Sequence, residues 1–242
     1  MANRYWVGGN ANWDGTAGTK WATTSGGAGG SAVPTSSDDV FLDNGAGTGN
    51  VTLASGYAAA CKSLNCTGYV KTLASANTTG SLTCSGAGGV TFVAGMTLSC
   101  TNLLTISTTS QTLTSGGKTW GGAMTITTSA ITYTLADAWI VTGTLTISLS
   151  LTINGNSFTV GGGLSVPNSV SGTTTYTMNG TGTLSASIGI PSLTINTAGT
   201  ITLSGTIDIY PSLTIIACGT LTSGTSTLSF ITAAFTFSDP VG

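Results

Sequence analysis

Short segments in which apolar residues flank Thr or Ser recur along most of this chain, at intervals close to twenty residues. The pentapeptide Pro-Ser-Leu-Thr-Ile occurs twice, at 191–195 and 211–215. Seven related segments begin at Leu82, Leu104, Met124, Leu145, Leu164, Leu184 and Leu203, at intervals of 22, 20, 21, 19, 20 and 19 residues. In a strand, this alternation sends the apolar side chains to one face and the hydroxyls to the other. A repeat of this length built from short strands predicts a β-solenoid.

A second set of strand-like segments continues the same period. Its members begin at Leu113, Tyr133, Leu151, Tyr176, Leu193 and Leu213. Turns rich in Gly, Asn or Ser, such as 115–117 and 154–156, interrupt the apolar segments. The predicted fold class is therefore all-β: a parallel β-solenoid, or β-helix, with coils of about 20 residues and at least two strands per coil. Two-sided and three-sided coils both remain possible at this point.

The composition agrees with this prediction. The chain has 242 residues, of which 40% are hydrophobic, only 5% are charged and 36 are Gly. Thr is abundant and helix-forming residues are scarce, which favours strands. In a solenoid each strand pairs with the coils above and below, so the backbone polar groups are satisfied without charged side chains. A low charge content is therefore compatible with a folded core.

The two ends of the chain differ from the repeats. Residues 1–36 contain a Gly-rich run and the aromatic residues Tyr5, Trp6, Trp13 and Trp21, whereas 37–242 carry the repeat. The first and last coils of a solenoid expose unpaired strand edges, which have to be covered. We therefore predict a Trp-rich N-terminal cap or docking segment over 1–36, with a glycan-stacking surface on the same aromatics as the alternative. Phe230, Phe235 and Phe237 are predicted to form a C-terminal cap or an oligomer contact.

Partners and location follow from charge and hydropathy. The net charge is −2, with five scattered Lys and Arg residues, so no nucleic-acid partner is expected. Ser, Thr or Gly interrupts every apolar stretch before the ~20 residues of a membrane-spanning helix, so no membrane insertion is expected. The N-terminus lacks a basic segment followed by an apolar segment, which predicts synthesis in a cytoplasm without secretion.

The missing residue types exclude several reaction classes. The chain has no His and its seven acidic residues are all Asp, so a Ser-His-Asp triad or a metal site with His ligands cannot be built. The segment Gly-Gly-Lys-Thr at 116–119 has Thr112 where a phosphate-binding loop requires Gly, so no cofactor is expected. The five cysteines, Cys61, Cys66, Cys84, Cys100 and Cys218, are predicted to be reduced thiols facing the core.

The carboxylates leave two chemical alternatives. Glycoside cleavage needs two carboxyl groups about 5–9.5 Å apart, and the candidates lie in different coils or, at Asp38 and Asp39, on opposite faces of a strand. Asp38, Asp39, Asp43 and Asn44 could instead supply oxygen ligands to Ca²⁺. No Lys or Arg is next to an Asp in sequence, which gives no support to a lyase. The main expectation is that these Asp residues form turns and strand ends, and that the protein is not an enzyme.

The N-terminal third carries a recognisable pattern. Its elements are Tyr5-Trp6-Val7-Gly8-Gly9, Asn12-Trp13-Asp14, Trp21, the Gly-rich run at 25–30, Val33-Pro34, Asp38-Asp39-Val40 and Cys61-Lys62-Ser63-Leu64. This pattern resembles the start of Thr/Gly-rich β-helical proteins of bacteriophages, and a related Trp-Gly-Gly opening is similar to that of large bacterial adhesins. Motif-like matches cover about 60 residues.

The resemblance implies a virion structural protein such as a head fibre, decoration, tail fibre or spike, used for attachment or particle stabilisation. It implies other virion proteins as partners, host-surface glycan as a potential ligand, and a homo-oligomer, with a trimer favoured. Two alternatives remain: a subunit of a bacterial extracellular adhesin or filament, and a tail spike that degrades polysaccharide. The resemblance implies no catalytic residue.

Overall fold

A computed structural model describes the chain except residues 108–109, 128–130, 149–150, 169, 187–189, 211, 224–225, 231–233 and 238–242. The described residues form strands and turns without a helix, and parallel sheets stack as a β-solenoid of about 8 turns. The predicted fold class is therefore confirmed. The chain divides into two compact units, which we call unit 1 (Met1–Gly122) and unit 2 (Ala123–Gly242).

The described residues of unit 1 form fourteen strands, nearly all of them two to five residues long. They are β1 (Asn3–Trp6), β2 (Gly9–Trp13), β3 (Trp21–Ala22), β4 (Asp39–Phe41), β5 (Thr48–Leu53), β6 (Ala58–Cys61), β7 (Ser63–Asn65), β8 (Thr72–Ser75), β9 (Ser81–Cys84), β10 (Val90–Thr91), β11 (Thr97–Ser99), β12 (Leu103–Ile106), β13 (Gln111–Thr114) and β14 (Thr119–Trp120). Turns and bends separate them, so the chain changes direction several times per coil.

Parallel pairing arranges these strands in three columns. Column 1a is β1, β4, β7, β10 and β13; column 1b is β2, β5, β8 and β11; column 1c is β6, β9 and β12. Three successive turns, made of β4 to β6, β7 to β9 and β10 to β12, each contribute one strand to each column. The coil therefore has three sides, which decides the alternative that the sequence left open.

Unit 2 repeats this arrangement with fifteen strands in the part of it that the structure describes. They are β15 (Met124–Ile126), β16 (Thr132–Leu135), β17 (Trp139–Val141), β18 (Leu145–Ile147), β19 (Leu151–Gly155), β20 (Ser157–Val160), β21 (Leu164–Val166), β22 (Val170–Gly172), β23 (Thr175–Met178), β24 (Gly182–Ala186), β25 (Leu193–Ser204), β26 (Thr206–Ile209), β27 (Ser212–Thr222), β28 (Thr227–Phe230) and β29 (Ala234–Phe237). Two of them, β25 and β27, are 12 and 11 residues long.

The columns of unit 2 are also parallel. Column 2a is β16, β19 and β22; column 2b is β17, β20, β23, the first halves of β25 and β27, and β29; column 2c is β15, β18, β21, β24 and the second halves of β25 and β27. Strand β25 belongs to two columns because its register with β27 shifts after Ile195 and after Thr197. Such bulges bend a strand, so a single strand can turn a corner of the coil.

Inside the columns, side chains alternate as the sequence predicts. The buried positions of column 2c are aligned in register, with Leu145 beside Leu164 and Leu164 beside Leu184. The residues between them, Thr146 and Ser165, point outward and are half-buried. Stacked apolar rows of this kind form the core, and each buried Leu or Ile contributes roughly 1.5–3 kcal/mol before ordering entropy.

The second predicted set of strands is wrong in one respect. Leu113, Tyr133 and Ile153 belong to strands β13, β16 and β19, whereas Tyr176 and Leu193 lie in column 2b. The sequence pattern merged two sides of the coil because both sides repeat with nearly the same period. Periodicity shows that residues are equivalent along the axis, but it does not show which side of the coil they occupy.

Parallel pairing also begins earlier than predicted. The sequence places the start of the solenoid near Asp38, yet Asn3 pairs with Asp39 and Trp13 with Leu53, both in parallel register. Strands β1 and β2 are thus coil strands inside the predicted cap segment. Among the described strands of the predicted cap segment, β3 departs from the pattern, since it pairs antiparallel with β1 and ends column 1a.

A tight turn after β22 depends on glycine. Gly172 has a φ of +115°, and a Cβ at this position would collide with the backbone carbonyl oxygen of Ile153 on the preceding coil. Only glycine adopts this conformation readily and lets two backbones approach so closely. Among the described residues, no helix is long and apolar enough to cross a membrane.

Candidate functional site

Three tryptophans pack together at the N-terminal end of unit 1. The ring of Trp21 lies 5.0 Å from that of Trp6 at an interplanar angle of 80°, and 5.1 Å from that of Trp13 at 71°. These are edge-to-face contacts, which the ring quadrupoles favour. The indole N–H of Trp6 donates a hydrogen bond of 2.9 Å to the Gly9 carbonyl. The antiparallel return of β3 places Trp21 opposite Trp6 and assembles this cluster.

The predicted glycan or docking contacts at Trp6, Trp13 and Trp21 are wrong for these three side chains. Each has 0% exposed surface, and a sugar ring needs an exposed aromatic face to stack on. The cluster instead fills the end of the unit with large apolar rings, which is the cap alternative. A Trp in a Gly-rich segment is expected both in a buried cap and in a glycan-binding surface, so the sequence could not decide between these two roles.

Tyr5 behaves differently from the tryptophans. It alternates with Trp6 along β1, so its ring points away from the core and is half-buried. The ring stacks on Phe41 of the next coil, with centroids 4.6 Å apart and planes 12° from parallel. This stacked pair, which we call the aromatic pair, is a partly exposed aromatic surface near the N-terminus. The sequence could have revealed it only with the register between β1 and β4.

Asp38 fastens the N-terminus to the first coils. One carboxylate oxygen accepts the backbone N–H of Ala2 at 2.9 Å, and the other accepts the backbone N–H and the hydroxyl of Thr35 at 3.1 and 2.9 Å. Burial alone would raise the pKa of Asp38, but the hydrogen bonds from Thr35 and Ala2 outweigh it and hold the pKa below its usual range. The carboxylate is therefore ionised and fully engaged.

Asp39 joins two successive coils through an ion pair. The Lys62 ammonium lies 2.8 and 3.0 Å from the two carboxylate oxygens of Asp39, and Ser63 donates its hydroxyl to the same group. Burial would raise the pKa of Asp39, but the contacts with Lys62 and Ser63 lower it. The sequence missed this pair because the two residues are one coil apart, and only the pairing of Asp39 with Ser63 brings them together.

A second ion pair closes the turn after β2. The Lys20 ammonium lies 2.7 Å from an Asp14 carboxylate oxygen, which also accepts the backbone N–H of Thr16 at 2.8 Å. Burial opposes ionisation of Asp14, yet Lys20 and Thr16 lower the pKa to about 2. The three perturbed carboxylates of unit 1 therefore share one direction of pKa change and one structural role.

None of these three carboxyl groups has the raised pKa of a glycosidase general acid. A general acid needs a carboxyl group whose pKa is raised so that it stays protonated near neutral pH. Asp14, Asp38 and Asp39 are all held in the ionised form. They can accept hydrogen bonds and balance lysine charge, but they cannot donate a proton to a leaving group at neutral pH.

Three of the four alternative Ca²⁺ ligands accept hydrogen bonds within the chain. The oxygens of Asp38 and Asp39 accept the bonds described above, and Asp43 accepts the backbone N–H of Gly45 at 2.9 Å in a tight turn. Within the described ranges, no group of three or more acidic, Cys or His side chains is arranged to hold a metal ion. The Asp side chains thus serve the turns and strand ends of unit 1.

The cysteines are free thiols. Cys61, Cys66, Cys84 and Cys100 are buried, as predicted, and Cys218 is half-buried. Cys61 and Cys84 are register partners on β6 and β9, and their sulfurs lie 3.3 Å apart. The hydrogen bond with Cys84 and burial raise the pKa of Cys61, and burial raises that of Cys66.

The C-terminal strands continue the ladder of unit 2. Phe235 and Phe237 lie on β29 in register with Leu213 and Ile215, and Phe230 ends β28. The side chains of these three Phe residues lie outside the described residues, so their oligomer contact stays a prediction. Two apolar side chains of β27 are exposed, Ile216 at 38% and Leu221 at 41%.

Comparisons with known proteins give no family assignment. No family model, curated protein or solved structure matches the chain.

Proposed function

We propose that this protein is a structural component of a bacteriophage virion, in which the β-solenoid forms a rigid projection for attachment or particle stabilisation. One observation supports it most directly, namely that in-register parallel strand ladders run through each unit. The ladders of unit 1 begin at Asn3, and those of unit 2 continue to Phe237. A ladder in which every coil is paired on both sides resists bending, because bending would break many backbone hydrogen bonds at once. Rigidity and length are the properties that a spacer requires.

The side-chain chemistry supports the same role. Outward positions carry mainly Thr and Ser, and these hydroxyls bond between coils, as between Thr152 and Ser171 at 2.9 Å. The perturbed carboxylates are ionised and engaged in hydrogen bonds or ion pairs within unit 1. The surface is therefore polar mainly through hydroxyl groups, and the perturbed carboxylates stabilise contacts between coils and turns. This favours a non-enzymatic role over a polysaccharide-degrading spike.

Attachment of the projection would use the ends of the chain, where the repeat is interrupted. At the N-terminus, the aromatic pair Tyr5 and Phe41 offers a partly exposed surface to another virion protein or to a host glycan. In unit 2, Ile216 and Leu221 of β27 expose apolar surface that a second and a third copy of the chain would cover. The proposal thus includes a homotrimer that is made in the host cytoplasm and carried on the particle.

The test is co-purification with particles. The gene is tagged in the genome that carries it, particles are banded on a density gradient and washed with high salt, and the protein is quantified in each fraction by mass spectrometry. We expect it in the particle band at a constant ratio to the major capsid protein. Recovery only from the cell lysate would overturn the proposal, and recovery from the cell surface would favour the adhesin alternative.

Two measurements separate the remaining parts of the proposal. Sedimentation velocity of the purified chain, whose monomer mass is 23.8 kDa, is expected to show a trimer. Incubation with host capsule and lipopolysaccharide is expected to release no oligosaccharide. If release occurs and is lost in Asp39→Asn, the polysaccharide-degrading alternative replaces the non-enzymatic role.

A further inference from the structure

Two buried thiols face each other across successive coils of unit 1. Cys61 on β6 and Cys84 on β9 are register partners, both have 0% exposed surface, and their sulfurs are 3.3 Å apart. We propose that this pair is a latent disulfide site, which a peroxide oxidant converts into a covalent link between the two coils. The inference concerns this chain in any location and does not rest on the proposed function.

The backbone geometry already suits the bond. Neighbouring strands of a sheet lie about 4.7–4.9 Å apart, which falls within the Cα separation of about 4.4–6.8 Å found in disulfides. Because Cys61 and Cys84 are direct partners in a parallel pair, their side chains point in the same direction. The sulfurs need to approach from 3.3 Å to the bonded distance of about 2.05 Å, which side-chain rotation can achieve.

The other cysteines lack such a partner. All five cysteines lie in the described part of the chain, and in that part the only contact between two sulfurs is the one between Cys61 and Cys84. The Cys100 thiol points instead to the carbonyl oxygen of Leu73, at 3.6 Å. Cys218 belongs to unit 2. Oxidation of the folded chain is therefore expected to be selective for one pair.

The position of β6 at the edge of its sheet gives the oxidant access to the two buried thiols. Strand β6 is the terminal strand of its sheet and, among the described strands, pairs only with β9. Edge strands open locally at lower free energy than strands paired on both sides. Burial and the bond with Cys84 raise the pKa of Cys61, so little thiolate forms while the site is closed. Oxidation is therefore expected to occur while β6 is locally open and to be slow.

The reaction is balanced with one peroxide molecule. One thiolate attacks an oxygen of hydrogen peroxide, the O–O bond breaks, and the products are a sulfenic acid and hydroxide, which takes up the thiol proton to give water. The second thiolate then attacks the sulfenic sulfur, the S–O bond breaks, and a second water leaves. In total two thiols are oxidised by two electrons, and one peroxide is reduced to two waters.

The test uses the full chain and tryptic mapping. The reduced protein is treated with hydrogen peroxide, denatured, alkylated and digested with trypsin. Cleavage after Lys62 and Lys71 places Cys61 in peptide 21–62 and Cys66 in 63–71, while Cys84 and Cys100 share 72–118. The variant Cys100→Ser makes the second partner unambiguous, and tandem fragmentation of the wild-type peptide locates the link without any variant.

We expect two of the five thiols to be lost and peptides 21–62 and 72–118 to be linked in the wild type and in Cys100→Ser. The link should be absent from Cys84→Ser. Oxidation should raise the thermal midpoint of the wild type by about 5 °C, reversibly with dithiothreitol, and leave that of Cys84→Ser unchanged. The proposal is overturned if all five thiols remain, if the cysteines become sulfinic acids without a link, or if the link involves Cys100 or Cys218.

Discussion

Unit 1 and unit 2 build the same three-sided stack from coils of different length. In unit 1, Val40 pairs with Leu64, 24 positions further on, and Leu64 pairs with Val90 after another 26. In unit 2, Trp139 pairs with Phe158 after 19 positions, and Phe158 with Tyr176 after 18. The strands that form these two ladders are two to four residues long in both units, so most of the extra residues of unit 1 lie in its turns.

Charge is distributed as unevenly as turn length. All five Lys and Arg residues belong to unit 1, together with four of the seven Asp residues, whereas unit 2 has three Asp residues and no cation. Asp14 and Lys20 pair within the turn between β2 and β3, and Lys62, in the turn between β6 and β7, pairs with Asp39 at the start of β4. Apolar rows and backbone ladders therefore suffice to build a coil, and charges are added where long turns or the chain end have to be fixed.

The largest effect is expected at the aromatic end of unit 1. Replacing Trp21 by Ala removes the ring that both Trp6 and Trp13 contact and should lower the free energy of unfolding by about 3–5 kcal/mol. Urea unfolding followed by far-ultraviolet circular dichroism measures it. Tyr5→Ala is the control on the outer face of β1 and should cost less than half as much. Equal costs would show that the tryptophans do not form the end of the core.

Acid should weaken unit 1 more than unit 2. The folded-state pKa values of Asp14, Asp38 and Asp39 are depressed, so the stability that they contribute is present above the unfolded pKa of 3.8. It is lost as the pH falls through the depressed folded-state pKa values, which for Asp14 is about 2. Hydrogen exchange at pH 5 and pH 2.5, corrected for intrinsic rates, should show a larger loss of protection in β1 and β4 than in β18 and β21. Equal losses would contradict the assignment of these carboxylates.

A smaller effect is expected from one ion pair. Asp39→Asn removes the charge that Lys62 and Ser63 contact and should lower the free energy of unfolding by about 1–3 kcal/mol. Asp208→Asn in unit 2 is the matched control, because no side-chain hydrogen bond or ion pair to Asp208 is found among the described residues, and it should change stability by less than about 0.5 kcal/mol. Equal urea midpoints for Asp39→Asn and Asp208→Asn would show that the ion pair of Asp39 with Lys62 adds no stability.

The smallest change in stability is expected on the hydroxyl rows. Thr146→Val keeps the shape of a half-buried outward side chain and should alter the free energy of unfolding by about 0.5 kcal/mol or less. Solubility should fall instead, because unit 2 has no cation and relies on Thr and Ser for hydration. Light scattering at increasing concentration measures this, with Thr83→Val in unit 1 as the control. A greater loss of solubility in Thr83→Val than in Thr146→Val would show that unit 2 does not depend more than unit 1 on its hydroxyl groups for hydration.

Much of the fold could be predicted from local pattern, and most of the candidate contacts could not. The row of Leu145, Leu164 and Leu184 follows from alternation and period alone. The ion pair of Asp39 with Lys62 joins residues 23 positions apart and needs the register between β4 and β7. The aromatic pair of Tyr5 with Phe41 needs the unpredicted pairing of β1 with β4.

The sequence by itself determined that the chain stacks short parallel strands, because a period of about twenty residues with alternating side chains can bury its apolar face in no simpler way. Only the tertiary structure decided that each coil has three sides, that Trp6, Trp13 and Trp21 are buried, and that Cys61 faces Cys84. These facts depend on register between coils, and register is fixed by long-range packing that no local segment encodes.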